Sequence, residues 1–232
     1  MGKCPAFSCK RRFWGCPRAG FSYKDESMKK NFTDQNDVAA IKDRILEAAL
    51  PDVPFDGWGW PVIEAGSLRA GNDRGMALAV FPEKTADVLD HFADMIDRRM
   101  LASLAKNMPD PEELRVRERI KTAVMARLDI LEDWREEEKM ALSFWAMPIH
   151  KPRAARILWR SADRIWQWAG DRATDYNRYS KRALLCGVIA STMLVWINDD
   201  SGTLEPTRRF LGRRIDNVMQ MGRFLGKIKK AG

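Results

Sequence analysis

Tyr176, Asn177, Tyr179 and Arg182 stand directly before a charge-free run from Ala183 to Ile197. Phenol and guanidinium groups combine flat apolar area with hydrogen-bond donors, and they are the types over-represented where one protein grips another. Helical spacing puts Tyr179 and Arg182 on one face. Two uses are open to them: a partner-docking patch, or the sealed rim of a core. Catalytic chemistry is not legible. Glu132-Asp133 and Glu136-Glu137-Glu138 lie on a strongly polar stretch, not in an apolar pocket that would tune a carboxylate pair. His91 adjoins the core residue Phe92, and His150 falls in a loop. Cys4, Cys9, Cys16 and Cys186 form no Cys-x-x-Cys pair, which argues against zinc and redox sites and for a reducing compartment. There is no glycine-rich phosphate loop. The expectation is a protein that is not an enzyme, with no metal and no cofactor.

The elements that must position these residues are helices. Few Gly and Pro among 232 residues, many Ala, Leu, Arg and Glu, and no alternating apolar pattern predict an all-α chain. The run Ala183–Ile197 is apolar on every side, which predicts a helix inside something. At about 1.5 Å per residue it spans roughly 22 Å, short of a membrane crossing. Gly170 and Asp171 can stop the preceding helix, and Thr174 or Asp175 can cap the next. Met140 to Pro152 is apolar, short and closed by Pro148 and Pro152, which predicts a brief helix and a bend.

Toward the amino terminus, Ile41, Ile45, Leu46 and Ala49 form a stripe that ends at Pro51. Pro61–Leu68 and Arg74–Phe81 read as two short helices around a Gly71-Asn72-Asp73 turn, and a long helix follows Pro82. Helix, turn, helix at this length is the shape of a DNA-reading module. The charge argues against that use. Between Val38 and His91 there are five cations and nine anions, a balance of −4, whereas phosphate neutralisation needs a basic surface.

The net charge of +8 comes instead from the last third, where 16 Lys and Arg face 7 Asp and Glu after Pro152. From about Leu204 to Lys230 a wide apolar arc has Arg213, Arg223, Lys227 and Lys230 on its back, a pattern suited to a subunit interface, a lipid cavity, an anionic membrane surface or an ordinary bundle helix. Residues 1–36 are expected to be a leader, disordered or an artefact of start-site choice, with Met28 as an alternative start. Residues 37–91 form the helix-turn-helix-like unit and 92–232 a larger helical domain.

The string Ala-Gly-Asp-Arg-Ala-Thr-Asp-Tyr-Asn-Arg-Tyr-Ser-Lys-Arg-Ala-Leu-Leu, with Arg209-Phe210-Leu211 and Arg214 to Gly222, resembles the coenzyme Q nine family, lipid-binding accessory proteins of ubiquinone biosynthesis related in fold to TetR-type regulators. The resemblance implies a TetR-like homodimer that binds an isoprenoid quinone precursor or phospholipid and hands it to demethoxyubiquinone hydroxylase or another quinone-pathway hydroxylase. It implies a place against the bacterial inner membrane, or the matrix side of the mitochondrial one. A flexible isoprenoid would be lined by Met140, Phe144, Trp145, Met147, Leu185, Val188, Ile189, Met193 and Trp196, since Met adapts its shape at little cost; the same residues suit a filled core. Tyr176, Tyr179 and Arg182 would dock the hydroxylase. Two departures stand out: Arg178 where animal relatives have Trp, and an end at Gly232 where relatives continue into a further amphipathic helix. Membrane contact is therefore expected from the basic last helix. The alternative is a ligand-responsive, TetR-type DNA-binding regulator.

Overall fold

Apolar side chains recurring every three or four residues close into helices throughout the chain. The computed structural model describes residues 38–171 and 176–231, with the side chains of 176–177 and 221–231 left aside. The expected leader, the cap candidates Thr174 and Asp175, and the side chains of Tyr176, Arg223, Lys227 and Lys230 lie outside these described residues. All regular structure among them is helical. The helices are α1 (38–49), α2 (Val53–Asp56), α3 (Trp60–Arg69), α4 (Arg74–Val80), α5 (Thr85–Asn107), α6 (Val116–Leu131), α7 (Arg135–Ala146), α8 (Lys151–Trp168), α9 (Tyr176–Trp196) and α10 (Glu205–Ala231).

The short amino-terminal helices follow the sequence closely. Pro61 sits in the first turn of α3, where its missing N–H costs nothing. Asp73 caps α4 by accepting from the Met76 amide at 2.7 Å. Gly66 lets α3 lie directly on α1: a Cβ at this position would stand 2.8 Å from both the Ala49 Cβ and the Ile45 carbonyl oxygen.

α5 is the spine. Val88, Leu89, Phe92, Met95, Ile96, Met100 and Leu104 are buried along it, and α6 and α8 pack against its length. Trp58 seals its first half, with rings of Trp58 and Phe92 5.3 Å apart and the Trp58 indole donating to the Glu137 carbonyl at 3.0 Å. α8 pairs with α9, and α9 with α10. One apolar cluster runs from Ile45 through Val88 and Leu128 to Ile215.

α9 departs from the expectation of burial all round. Leu185, Val188, Ile189, Met193 and Trp196 are buried, but Ala183, Gly187, Ala190 and Leu194 recur at helical spacing on an exposed stripe. A charge-free helix here has one filled face and one bare face made mostly of small side chains. No helix among the described residues is long and apolar enough to cross a membrane.

The Gly66 contact makes a sharp prediction. Gly66→Ala should lower the unfolding free energy by about 1–3 kcal/mol through overpacking of α3 on α1. Urea denaturation followed by circular dichroism measures it.

Candidate functional site

At the α8–α9 junction Arg182 is 2% exposed, so its guanidinium is spent inside the protein. Its Nε donates to Asp163 on α8, and its terminal nitrogen donates at 3.1 Å to both the Asp171 carboxylate and the Arg178 carbonyl. Lys181 adds a 2.8 Å bond to Asp171 and lies over the Trp166 ring, whose N–H donates to the Lys181 carbonyl. Asp163 and Asp171 thereby fix the angle between the two helices. The sequence reading puts Arg182 on a docking face; in the structure its side chain is turned inward and held by both carboxylates.

Tyr179, one turn earlier, is 60% exposed. Its ring lies 6.2 Å from that of half-buried Trp159 on α8, with Arg178 and Arg156 also reaching the surface nearby in sequence. Of the residues expected to dock a partner, Tyr179 lies outside and Arg182 inside, and Tyr179 has the Trp159 ring as its neighbour. The Trp159–Tyr179 pair joins residues twenty positions apart on two different helices, so no local spacing reveals it.

The expected lipid-lining residues fall into two groups. Leu185, Val188, Ile189, Met193 and Trp196 are closed into the core, where the Trp196 indole donates to Glu132 at 2.9 Å. Met140, Phe144 and Trp145 are half-buried at the end of α7, and Met147 is 45% exposed. Phe144 stacks on His150 with ring centroids 4.0 Å apart, so His150 is part of an aromatic corner and not a free loop residue. Neither of two surface cavities touches any of these residues. One, of about 530 Å³, lies between α5, α6 and the start of α10 and includes Arg99, Asn107, Asp129, Trp134 and Arg208. The other, of about 430 Å³, lies beside α2 and α3.

Sequence reasoning missed the electrostatic centre of the domain. Asp97 on α5 has no exposure; it accepts from Arg127 Nε on α6 at 3.1 Å and from the Ser161 hydroxyl on α8 at 2.7 Å. Arg127 also points a terminal nitrogen at the Met193 sulfur on α9, 3.6 Å away. Glu138 on α7 is buried beside them. Burial pushes its carboxyl up to about 7; Arg127 opposes this and the Asp97 charge adds to it. Outward from Asp97, Asp94 pairs with Arg164 and Arg98, Asp90 with Arg160 and Arg153, and Asp87 with Arg153. The signal was present as Asp87, Asp90, Asp94 and Asp97, four carboxylates at three- and four-residue steps.

His91 belongs to this wall as well. Burial holds its pKa below the ordinary value, so at neutral pH the uncharged ring donates from Nε2 to Asp43 at 2.7 Å. Burial alone would raise the Asp43 carboxyl, but hydrogen bonds from Arg98 and His91 keep it low. Among the described residues no three metal-binding side chains come together.

Comparison with known proteins bears on this geometry. The COQ9 family model matches residues 151–222, the stretch carrying α8, α9 and most of α10. The rat ubiquinone biosynthesis protein COQ9, mitochondrial, is 31% identical over 215 residues, covering 90% of this chain and 68% of the rat protein. The human counterpart is 30% identical over 204 residues, with 86% and 64% covered. Among solved structures, a TetR transcriptional regulator from Nitrosomonas europaea superposes with a TM-score of 0.59 at 22% identity, covering 76% of this chain and 97% of the regulator. At that identity the likeness is one of fold.

Two predictions follow from the charges. Arg182→Ala should cost roughly 3–5 kcal/mol of stability, because Asp163 and Asp171 lose a buried partner; thermal unfolding measures it. Glu138 binds its proton more tightly folded than unfolded, so its contribution is full below about pH 4.5 and is lost as pH rises through about 7. Glu138→Gln should therefore stabilise the protein at pH 8, by on the order of 2 kcal/mol, and flatten its stability between pH 5 and 8 in denaturation series.

Proposed function

The chain belongs to the COQ9 family of ubiquinone biosynthesis proteins, and from that membership we propose that it is a non-catalytic, lipid-binding accessory protein of the pathway. It takes an isoprenoid quinone precursor or a phospholipid at the membrane and presents it to a hydroxylase. The observation that carries this reading is the 31% identity to the rat ubiquinone biosynthesis protein over 90% of this chain. The family match falls on α8–α10, the same helices that carry the aromatic surface at Tyr179 and the basic face of α10.

Three physical features support the parts of the proposal. Tyr179 backed by Trp159 offers the rigid, amphipathic aromatic surface typical of binding hot spots, and is the docking point for the hydroxylase. The exposed Ala183, Gly187, Ala190 and Leu194 stripe lets a second α9 approach closely, which suits a homodimer through α9 and α10. Leu211 and Ile215 pack one side of α10 into the core, and Arg209 and Arg213 stand on its exposed side, where their charges can meet anionic headgroups. The lipid would enter along the α7 and α9 apolar residues, with the adaptable Met140, Met147 and Met193 making room. We place the protein against the face of the membrane on which the quinone pathway operates.

The TetR-like fold keeps the regulator alternative in view, and α4 weighs against it. The exposed positions of the would-be reading helix are Arg74, Gly75, Leu78 and Ala79, which offer one base-reading side chain. Residues 37–91 then serve as a structural unit on the larger domain 92–232.

Mass spectrometry of lipids copurifying with the protein should recover prenylated quinones or their precursors; a consistently lipid-free preparation overturns the carrier reading. Tyr179→Ala should weaken binding to the hydroxylase by about thirtyfold with unfolding temperature unchanged, measured by calorimetric titration.

A further inference from the structure

We propose that the cleft between α5, α6 and the start of α10 seats an uncharged, hydroxylated aromatic ring, the head of an isoprenoid precursor and not the headgroup of a phospholipid. The proposal rests on the carrier reading above and names the part of the ligand that this site takes. The cleft holds about 530 Å³, a size suited to a small organic group. Leu104 and Met125, both buried, line it and belong to the apolar cluster of the core, and half-buried Met108 adds an adaptable side chain. The seat is therefore apolar at its base and polar at its rim.

Trp134 gives it a flat and rigid wall. The Arg99 guanidinium lies over the Trp134 ring, 4.8 Å from its centroid, and the Phe92 ring meets it nearly edge-on with centroids 6.4 Å apart. A wall fixed from two sides loses little freedom when a ring packs beside it.

The polar rim selects the chemistry of that ring. Asp129, on α6, and Asp133, in the turn that follows, have no hydrogen bond or ion pair among the described residues. Partial withdrawal from water pushes the Asp129 carboxyl up; the Arg208 charge opposes this and the Glu132 charge adds to it. Such a group gains from a hydroxyl that donates to it. The cations of the cleft are already engaged, Arg99 by Glu47 and Arg208, at 4.0 Å, by Glu205. A phosphate would meet two unpaired carboxylates and no free cation, whereas a phenolic ring places its hydroxyl on a carboxylate and can accept from the Thr122 hydroxyl.

Calorimetric titration of the full chain with ortho-prenylphenol and with its methyl ether tests the site. The phenol should bind about tenfold more tightly than the ether, which has no donor for Asp129. Asp129→Ala should remove that difference with the thermal unfolding midpoint unchanged, and Ala126→Trp, which fills the cleft, should weaken both ligands at least tenfold. Equal binding of phenol and ether by the native chain overturns the hydroxyl assignment. Phenol binding that neither variant alters places the ring elsewhere, so the cleft is wrong and the carrier reading stands. Displacement of the phenol by short-chain phosphatidylglycerol, itself weakened by Ala126→Trp, overturns the proposal in favour of a phospholipid seat, and tighter binding of the corresponding benzylamine overturns the uncharged class. If the phenol does not bind while prenylated quinones copurify, the cleft alone is wrong; if neither is found, the carrier reading falls and this site with it.

Discussion

Asp97 is a carboxylate with no exposure at the meeting point of five helices, and the rest of the domain is arranged so that this charge is tolerable. A lone buried carboxylate is expensive, so it must be paired and hydrogen-bonded. Arg127 and Ser161 supply both needs from α6 and α8. Once they do, the relative rotation of α5, α6 and α8 is restricted, since a small slip strands a charge in an apolar core. The pair contributes little net stability compared with an apolar replacement, but losing one member is severe. Its effect is on specificity of packing. Glu138 is the consequence on α7: beside a balanced Asp97–Arg127 pair, a third charge has no counterpart, and burial favours its neutral form.

The outer carboxylates of α5 extend the same logic toward solvent. Asp94, Asp90 and Asp87 meet Arg164, Arg160 and Arg153 in order, so α5 and α8 run side by side in one direction and their charges zip in register. Exposed pairs of this kind are individually worth little, but an ordered network fixes register. It also changes what the acidity of residues 38–91 means. Asp43 and Glu47 are held by Arg98 and Arg99, and Asp87 and Asp90 by arginines of α8. The acidic balance of that stretch is therefore largely consumed in attaching it to the rest of the domain. The case against DNA reading rests more firmly on α4, whose exposed face is apolar apart from Arg74.

Periodic features were legible in the sequence and pairwise ones were not. The apolar stripe of α1, the proline-started α3, the turn at Gly71-Asn72-Asp73 and the extent of α4 follow from local spacing and appear where that spacing puts them. Asp97 meeting Arg127 and Ser161 requires knowing which faces of three helices oppose one another, across 30 and 64 residues of chain. Composition misled for α9. Absence of charge suggested complete burial, yet Ala183, Gly187 and Ala190 are exposed; small side chains lose little by being left in water and leave a surface that another helix can approach.

The junction of α8 and α9 shows why residue identity alone does not assign a role. Tyr179 and Arg182 share a helical face by spacing, and both are residue types that bind partners well. Asp163 and Asp171 separate them: the two carboxylates hold the Arg182 guanidinium inside, while Tyr179, one turn nearer the helix start, rests on Trp159 at the surface. The buried arginine sets the angle at which α9 leaves α8, and that angle sets where the Tyr179 ring points. A partner touching this face would read the tyrosine directly and the arginine only through the geometry it enforces. Arg178 sits between these roles, partly exposed and 3.6 Å from Asp163, so its charge is shared between the clamp and the surface. At this position the chain offers a cation tethered to a carboxylate, and the aromatic neighbour of Tyr179 is supplied from α8 by Trp159.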